Sequence, residues 1–288
     1  MIGETYKRYL RSSRTAVLLV AVLVITGVSY YLTYLDKMEL LYQLSTGAED
    51  LNLEVMRNLV ESYNGFRFFF SFYNMADEFY ISVLVLFAWI GIFVTSEFFT
   101  QREDGYGNCI VSRCGYRRYS GQLLAAQTLY LATVLGLVML LQLAGAFAVG
   151  GADTLYYQIS SEPLGVAGCL GLIVLVYTVM LFYCVCINTI GAACACWIQN
   201  RYFMQVFPIL AFAIVPMLIG STLANVLNFP YLIVDITVPF TYLTLVFRMF
   251  NVFYEMDLYA LLLSMGMFCV AAWTLWRISV RKLEGNYL

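Results

Sequence analysis

The residues best suited to bind a partner or take part in chemistry are concentrated in one segment, residues 97–120. Charged side chains cluster toward its two ends, and an apolar centre, Cys109-Ile110-Val111, lies between them. Glycines at 105, 107 and 115 divide the segment into short pieces, because glycine is a poor helix former. We expect one short helix here, held between two longer ones. A partner that moved this short helix would tilt both neighbours.

The types of residue that are missing exclude most kinds of catalytic site. The chain has no histidine, which rules out histidine-based triads, His-ligated zinc and the His-Glu-x-x-His metalloprotease motif. It has no Gly-Lys dipeptide either, so it carries no P-loop. We therefore expect no enzyme activity and no cofactor or metal in this chain. The pairs Cys184/Cys186 and Cys194/Cys196 are better explained as helix-packing residues than as metal ligands.

The elements that position this segment are predicted from hydropathy. Apolar residues make up 62% of the 288 positions and charged residues 12%, against about 45–50% and 25% in soluble domains. The apolar residues fall in six long uncharged runs, and about 20 such residues cross a bilayer as a helix. We predict a single all-α transmembrane domain with six spans, at about residues 15–35, 79–96, 121–149, 166–198, 203–227 and 258–280.

The distribution of lysine and arginine predicts the orientation of these spans. With the N-terminus in the cytoplasm, twelve of the 16 basic residues fall on the inner side and four on the outer side, as the positive-inside rule requires. Both termini are then cytoplasmic. Residues 3–14, which include four basic residues, are predicted to form an interfacial helix on the anionic inner leaflet. We expect the plasma (inner) membrane of a bacterium.

Two outer segments complete the predicted architecture. In the outer segment 36–78, apolar residues from Val55 to Tyr63 recur at helical spacing, which predicts an amphipathic helix. The aromatic block 66–73 fits an interfacial aromatic belt; a gate for an amphiphilic substrate is the alternative. The uncharged run 236–247 has only twelve residues, too few to span, so residues 229–257 are predicted to form a re-entrant outer cap before the last helix. Pro208 and Pro216 predict bends in the fifth span.

The segment after the second span carries a resemblance to a known family. Members typically have a Glu, an acidic-Gly-Thr turn, a short apolar helix and then Ser-x-Pro-x-x-Arg. Here Glu97, Glu103 and Gly105 match the first part, and Ile110, Val111, Ser112 and Arg117 match the second, while Tyr106 and Cys114 replace the usual Thr and Pro. With its six predicted spans, the chain resembles the membrane (permease) subunit of type-2 ATP-binding cassette exporters.

The resemblance implies a mechanism and a set of partners. Two permease subunits, identical or paralogous, would form the pathway in the lipid membrane, and separate cytoplasmic ATPase subunits would bind the ATP. The apolar centre of the loop would enter a cleft on the ATPase, the arginines would meet its acidic rim, and Glu97 or Glu103 would tie the loop to its own helix. The implied coupling residues are Glu97, Arg102, Glu103, Gly105, Ile110, Val111, Arg113, Arg117 and Arg118.

Other functions remain open from sequence. An ATP-independent, ion-coupled transporter usually has an ionisable residue in mid-membrane, whereas at that depth the predicted spans hold only uncharged polar residues such as Gln127, Gln142, Asn188 and Asn225. A non-transporting sensor or scaffold subunit needs no chemistry and stays possible. No feature indicates nucleic-acid binding. The apolar and aromatic walls suggest an amphiphilic cargo, a peptide, lipid or drug, and no substrate-binding residue is predicted.

Overall fold

The fold is helical and is known from a computed structural model. The structure describes residues 2–46, 53–73, 77–97, 100, 106–152, 157–158, 163–195, 197–198, 200–215, 218 and 255–287. Its helices are α1 (Ile2–Leu10), α2 (Ser13–Thr46), α3 (Leu53–Glu61), α4 (Gly65–Tyr73), α5 (Asp77–Trp89), α6 (Tyr106–Cys114), α7 (Tyr116–Gly150), α8 (Val166–Cys194), α9 (Arg201–Ile209) and α10 (Glu255–Tyr287). Two π-helical segments, π1 (Ile90–Thr95) and π2 (Leu210–Ile214), continue α5 and α9.

Four helices in the described part of the chain are long and apolar enough to cross a membrane: α2, α7, α8 and α10. They have 29 to 35 residues, which at 1.5 Å per residue is roughly 43–52 Å, more than the hydrocarbon thickness. Large apolar side chains also lie exposed on them; on α2, Val17, Val20 and Val24 are each at least 60% exposed. Lipid suits such a surface and water does not, so these helices indicate a membrane protein.

The long helices agree with four of the six predicted spans, although their ends differ. Helix α2 continues eleven residues beyond position 35, so the first part of the segment 36–78 is helical. Helix α8 ends at Cys194 instead of residue 198. After the end of α7 a two-residue strand, β1 (Tyr157–Gln158), pairs antiparallel with β2 (Pro163–Leu164) immediately before α8.

The other two predicted spans correspond to shorter apolar helices, Ile81–Thr95 and Arg201–Ile214. Both end in a π-helical segment. In the second, Pro208 lies inside α9 and the helix changes from α to π at Leu210. Proline cannot donate the helical hydrogen bond, so the irregularity falls where Pro208 predicted one. Three predicted features lie outside the described residues: Pro216, most of the fifth span after Ile214, and the part of the cap 229–257 up to residue 254.

The segment 36–78 confirms one prediction and corrects another. Helix α3 occupies the predicted amphipathic stretch. The aromatic block 66–73 forms α4, and its aromatic rings are buried in protein, each at most 3% exposed. Phe66 packs edge-on against Phe147 of α7, with ring centroids 5.0 Å apart. The preferred interpretation as a lipid-facing belt is therefore wrong: with six aromatic rings among nine residues, α4 is apolar nearly all round and becomes part of the core.

Helices α8 and α10 form the other main packing pair. Tyr183 and Phe268 meet edge-on with centroids 5.3 Å apart, and the Tyr183 hydroxyl is 3.1 Å from Ser264 Oγ. Near the other end of α8, Ser279 Oγ donates to the Ala193 carbonyl over 2.8 Å. The C-terminal part of α10 thus lies beside the C-terminal end of α8, close to α6 and the N-terminus of α7. We call this the basic end of the bundle, because many of the arginines and lysines lie there.

Candidate functional site

The predicted short helix exists as α6 and is joined to α7 by a single residue, Gly115. The backbone of Gly115 has φ +78° and ψ 149°, a region that is almost restricted to glycine. Its N–H donates to the Val111 carbonyl over 2.8 Å, which completes the last turn of α6. The chain therefore reverses sharply here, and α6 lies against the start of α7.

One side of α6 is packed into a hydrophobic cluster at the basic end. This basic-end cluster consists of buried residues from α6, α7, α8 with the turn that follows it, and α9: Val111, Tyr119, Leu123, Ala192, Ala195 and Met204. Partly buried Ile110, Ile198 and Trp276, the last from α10, pack around it. A displacement of α6 would therefore be felt by four other helices, because close-packed interiors transmit strain.

The structure separates the predicted coupling residues into an inward-facing and an outward-facing set. Val111 is only 6% exposed and Ile110 is half-buried in the same cluster. The expectation that this apolar centre enters a partner's cleft is wrong for Val111, because its side chain packs against its own chain. Arg113, Arg117 and Arg118 are exposed. Arg102, Glu103 and Gly105 lie outside the described residues.

Glu97, just beyond π1, connects the loop to the N-terminal helix. Its carboxylate forms an ion pair with the guanidinium of Arg8 in α1. The Glu97 side chain is 19% exposed and that of Arg8 is 57% exposed. The sequence pattern placed Glu97 in the site but did not identify Arg8 as its partner, since the two lie 89 positions apart. The pair fixes the predicted interfacial helix α1 to the start of the loop.

A buried polar network lies behind this ion pair. The Gln127 side-chain amide donates to the Val94 carbonyl of π1 over 2.8 Å and to the Tyr9 hydroxyl over 3.2 Å. Asn188 of α8 donates to Gln127 Oε1 over 3.0 Å and accepts from Thr95 Oγ1 over 3.2 Å. Gln127, Asn188 and Thr95 are fully buried. These bonds join α1, π1, α7 and α8 in one set of contacts.

The aromatic ring of Tyr9 anchors α1 to the bundle. It stacks on Tyr130 with centroids 5.1 Å apart and meets Phe93 edge-on at 5.2 Å. Burial, and secondarily the negative charge of Glu97, raise the pKa of the Tyr9 hydroxyl well above its ordinary value of 10.0. The hydroxyl therefore stays protonated at neutral pH and can accept from Gln127 while remaining uncharged.

A second polar group lies farther along α7, at the aromatic helix α4. Gln142 donates to Thr26 Oγ1 of α2 over 2.7 Å and accepts from the Tyr73 hydroxyl. Its backbone carbonyl accepts from the Tyr30 hydroxyl over 3.0 Å. Gln142 is 2% exposed, so this group links α2, α4 and α7 inside the bundle.

In the sequence, Gln127, Gln142 and Asn188 stand out only as uncharged exceptions within apolar runs. The available signal was an amide side chain in an otherwise apolar helix, because such a group must find a partner on another helix. Their partners could not be inferred, since they come from segments 33 to 118 positions away.

An elongated cleft lies between α2, α4, α5, α7 and α8. Its cavity volume is about 30 Å³, and its walls are mainly aliphatic and aromatic. Trp89 lines one part of it, while Tyr73 and Gln142 line another. Across the described ranges no three His, Cys, Asp or Glu side chains come together as a metal ion would require.

The arrangement is suited to transmitting movement from α6 to the helices that it contacts. The basic end presents exposed arginines on helices that are joined to their neighbours by buried hydrogen bonds and apolar contacts, and the cleft lies farther along α7 and α8. No family model matches the chain, and no curated protein or solved structure matches it.

Proposed function

We propose that the chain is the permease subunit of an ATP-binding cassette exporter in the plasma membrane of a bacterium, driven by cytoplasmic ATPase subunits that dock on α6. The observation that carries this proposal is the position of α6. It is a short helix at the basic end, fixed by Gly115 to α7 and packed into the basic-end cluster. A force applied to its outer side would reach α7, α8, α9 and α10 together.

The docking surface follows from which side chains of this region are exposed. Arg113, Arg117 and Arg118 are exposed and would meet acidic residues on the ATPase. Val111 and Ile110 hold α6 to the bundle. The apolar residues thus transmit the movement, and the arginines provide the contact with the partner. Complementary charge at such an interface favours correct docking more than raw affinity.

The proposal includes six spans with both termini in the cytoplasm. The short apolar helices Ile81–Thr95 and Arg201–Ile214 would supply the second and fifth spans. The N-terminal helix and the C-terminal part of α10 contact the same end of the bundle, through Glu97 and through Ala193. Its excess of arginine and lysine favours the cytoplasmic side. A second copy or a paralogous subunit would complete the pathway for an amphiphilic cargo.

The experiment uses the chain in complex with the cytoplasmic ATPase that the proposal requires, which is first identified by its co-purification with the chain in detergent. The complex is purified in detergent and reconstituted in liposomes, and its affinity and ATP hydrolysis are measured. Arg117→Glu should weaken ATPase binding at least about tenfold, because it places like charges in contact. Arg281→Glu, an exposed position on α10 at the same end, is the matched control and should leave binding unchanged.

A second variant tests transmission separately from docking. Gly115→Ala keeps the exposed arginines but forces a strained backbone, at a cost of about 1–3 kcal/mol. We expect the ATPase still to bind, while stimulation of its hydrolysis by the membrane subunit falls. Normal binding and normal stimulation in both Arg117→Glu and Gly115→Ala would refute the proposed role of α6.

A further inference from the structure

Helix α10 has an exposed apolar face on the side away from α8. Its contacts with α8 are made by Phe268 and Ser279, whereas Leu263, Val270 and Trp273 are each at least 55% exposed. Leu263 and Trp273 are ten positions apart, roughly 15 Å along the helix, which is half the ~30 Å thickness of the hydrocarbon core of a bilayer. The exposed face is therefore about as long as one leaflet is deep.

This apolar face ends at a positive charge, that of Arg277. Side chains of a helix point back toward its N-terminus, and the Arg277 side chain follows this direction. Its Cζ atom lies 4.4 Å from the centroid of the Trp273 ring, one turn earlier in α10. An arginine near the end of a membrane span usually extends toward water. Here the attraction of the ring for a cation holds the guanidinium one turn deeper, beside the apolar face.

The Arg277 guanidinium has no carboxylate beside it. No ion pair within the described part of the chain includes Arg277. Glu284, the acidic residue that follows it on α10, is seven positions away, which is roughly 10 Å along the axis. A guanidinium has five N–H donors in a planar arrangement that suits carboxylate and phosphate oxygens. The face thus offers a cation whose anion must come from outside the chain.

The chemistry of this face selects one kind of occupant. A molecule that covers it must be apolar beside Leu263 and Val270 and anionic beside Arg277. The acidic surface of a water-soluble protein meets only the second requirement, and a neutral lipid meets only the first. A phospholipid with a net negative headgroup meets both. Tryptophan is enriched at the level of the headgroups, so Trp273 is a suitable neighbour for the phosphate.

We propose that Trp273 and Arg277 form a binding site for an anionic phospholipid of the surrounding bilayer. A phosphate oxygen accepts hydrogen bonds from the Arg277 guanidinium, and one acyl chain lies along Val270 and Leu263. Basic side chains at the ends of spans recognise acidic headgroups in this way. The inference needs only the membrane location that the long apolar helices indicate. It goes beyond the permease proposal and does not depend on it.

The test measures which lipid lies beside Trp273. In the full chain, Trp89→Phe, Trp197→Phe and Trp276→Phe leave Trp273 as the sole tryptophan. The protein is reconstituted in vesicles made of equal parts of phosphatidylglycerol and phosphatidylcholine. In one series the phosphatidylglycerol carries brominated acyl chains, which quench tryptophan fluorescence on contact, and in the other series the phosphatidylcholine carries them. The salt concentration is about 0.3 M, which largely screens diffuse attraction to the membrane surface.

The ratio of quenching in the two series gives the relative affinity of the two lipids for the site. Both lipids contain a phosphate, but phosphatidylcholine also carries a cationic choline group, which the guanidinium repels. We expect a preference of about threefold for phosphatidylglycerol, the size of effect that an exposed ion pair gives. Equal quenching in the two series would overturn the proposal. Weak quenching in both would also overturn it, because protein, such as a second copy of the chain, would then cover the face.

Matched substitutions in the sole-Trp273 protein test the contribution of the guanidinium. Arg277→Gln removes the charge but keeps a polar side chain, and we expect the preference for phosphatidylglycerol to disappear. Arg201→Gln removes the same charge from an exposed position at the start of α9, near Met204 of the basic-end cluster. This control should keep the preference. An equal loss in the two variants, or no loss in Arg277→Gln, would show that Arg277 does not form the site.

Discussion

Asn188 donates a hydrogen bond to Gln127 Oε1 over 3.0 Å, across the fully buried contact between α8 and α7. The same Gln127 amide donates to the Val94 carbonyl of π1, so three helical elements share one pair of amides. Neither amide carries a charge, and each has partners for both its donor and its acceptor. The pair therefore fixes the relative position of the helices at the basic end without the cost of burying an ion.

Removing Asn188 should weaken the whole bundle. Asn188→Leu keeps the branched shape of the side chain but leaves Thr95 Oγ1 and Gln127 Oε1 without this partner. We expect the free energy of unfolding to fall by about 1–3 kcal/mol, measured by thermal or denaturant unfolding in detergent. Thr178→Val, on the exposed face of the same helix, is the control and should change stability by less than about 0.5 kcal/mol. Equal effects of the two substitutions would contradict the role of the network.

Gly91 lies at a close approach between π1 and α9. A Cβ atom at this position would lie 2.1 Å from the backbone carbonyl oxygen of Gln205. Gly91→Ala must therefore push the two segments apart, and we expect a loss of about 1–3 kcal/mol or more. Gly121→Ala in α7, where nothing lies within 4 Å, should instead stabilise the helix by about 0.5–1 kcal/mol. If unfolding experiments show that Gly91→Ala lowers stability and Gly121→Ala raises it, the contact is confirmed. No change of stability in Gly91→Ala would refute it.

The sequence was sufficient to predict the helical class, four long apolar helices, the short helix α6 and the amphipathic helix α3. Each depends on a local pattern: an apolar run, a glycine that ends a helix, or apolar residues at helical spacing. The exposed state of Arg113, Arg117 and Arg118 also agrees with the docking hypothesis, because charged residues in a loop seldom become buried.

What the sequence could not reveal are the contacts between distant segments. Nothing local to Val111 indicates that it shares a cluster with Met204 of α9, and nothing near Glu97 points to Arg8. The aromatic block 66–73 has the composition of an interfacial belt, and only its packing against α7 shows that it is core. The cleft was missed for the same reason, since five helices contribute to its walls.

The ion pair between Arg8 and Glu97 should contribute modestly to the free energy of unfolding, and this contribution should depend on the salt concentration. Glu97→Gln removes the charge but keeps the shape, and we expect a loss of about 0.2–1 kcal/mol at low salt, since Arg8 is largely exposed. The loss should shrink as the salt concentration rises. The double substitution Arg8→Glu with Glu97→Arg should recover stability relative to either single change. A double-mutant cycle by thermal unfolding measures this; additive effects would show that the pair is not coupled.

The buried hydroxyl of Tyr9 should make stability depend on pH in the alkaline range. Its pKa in the folded chain is raised above the ordinary value of 10.0, first by burial and then by Glu97. When the folded state holds its proton more tightly than the unfolded state, the stabilisation is fully present below the unfolded pKa and is lost as the pH rises toward the folded pKa.

Tyr9→Phe isolates this effect from the other tyrosines. The substitution removes the titrating group and the hydrogen bond from Gln127 but keeps a ring that can stack on Tyr130. We expect wild type to be the more stable protein at about pH 8, because a phenylalanine side chain would leave a buried donor of Gln127 short of an acceptor. Between about pH 10 and 11.5 the difference in unfolding temperature should narrow, as the unfolded wild-type chain loses the Tyr9 proton. A constant difference across this range would mean that Tyr9 titrates normally and that its hydroxyl is open to solvent.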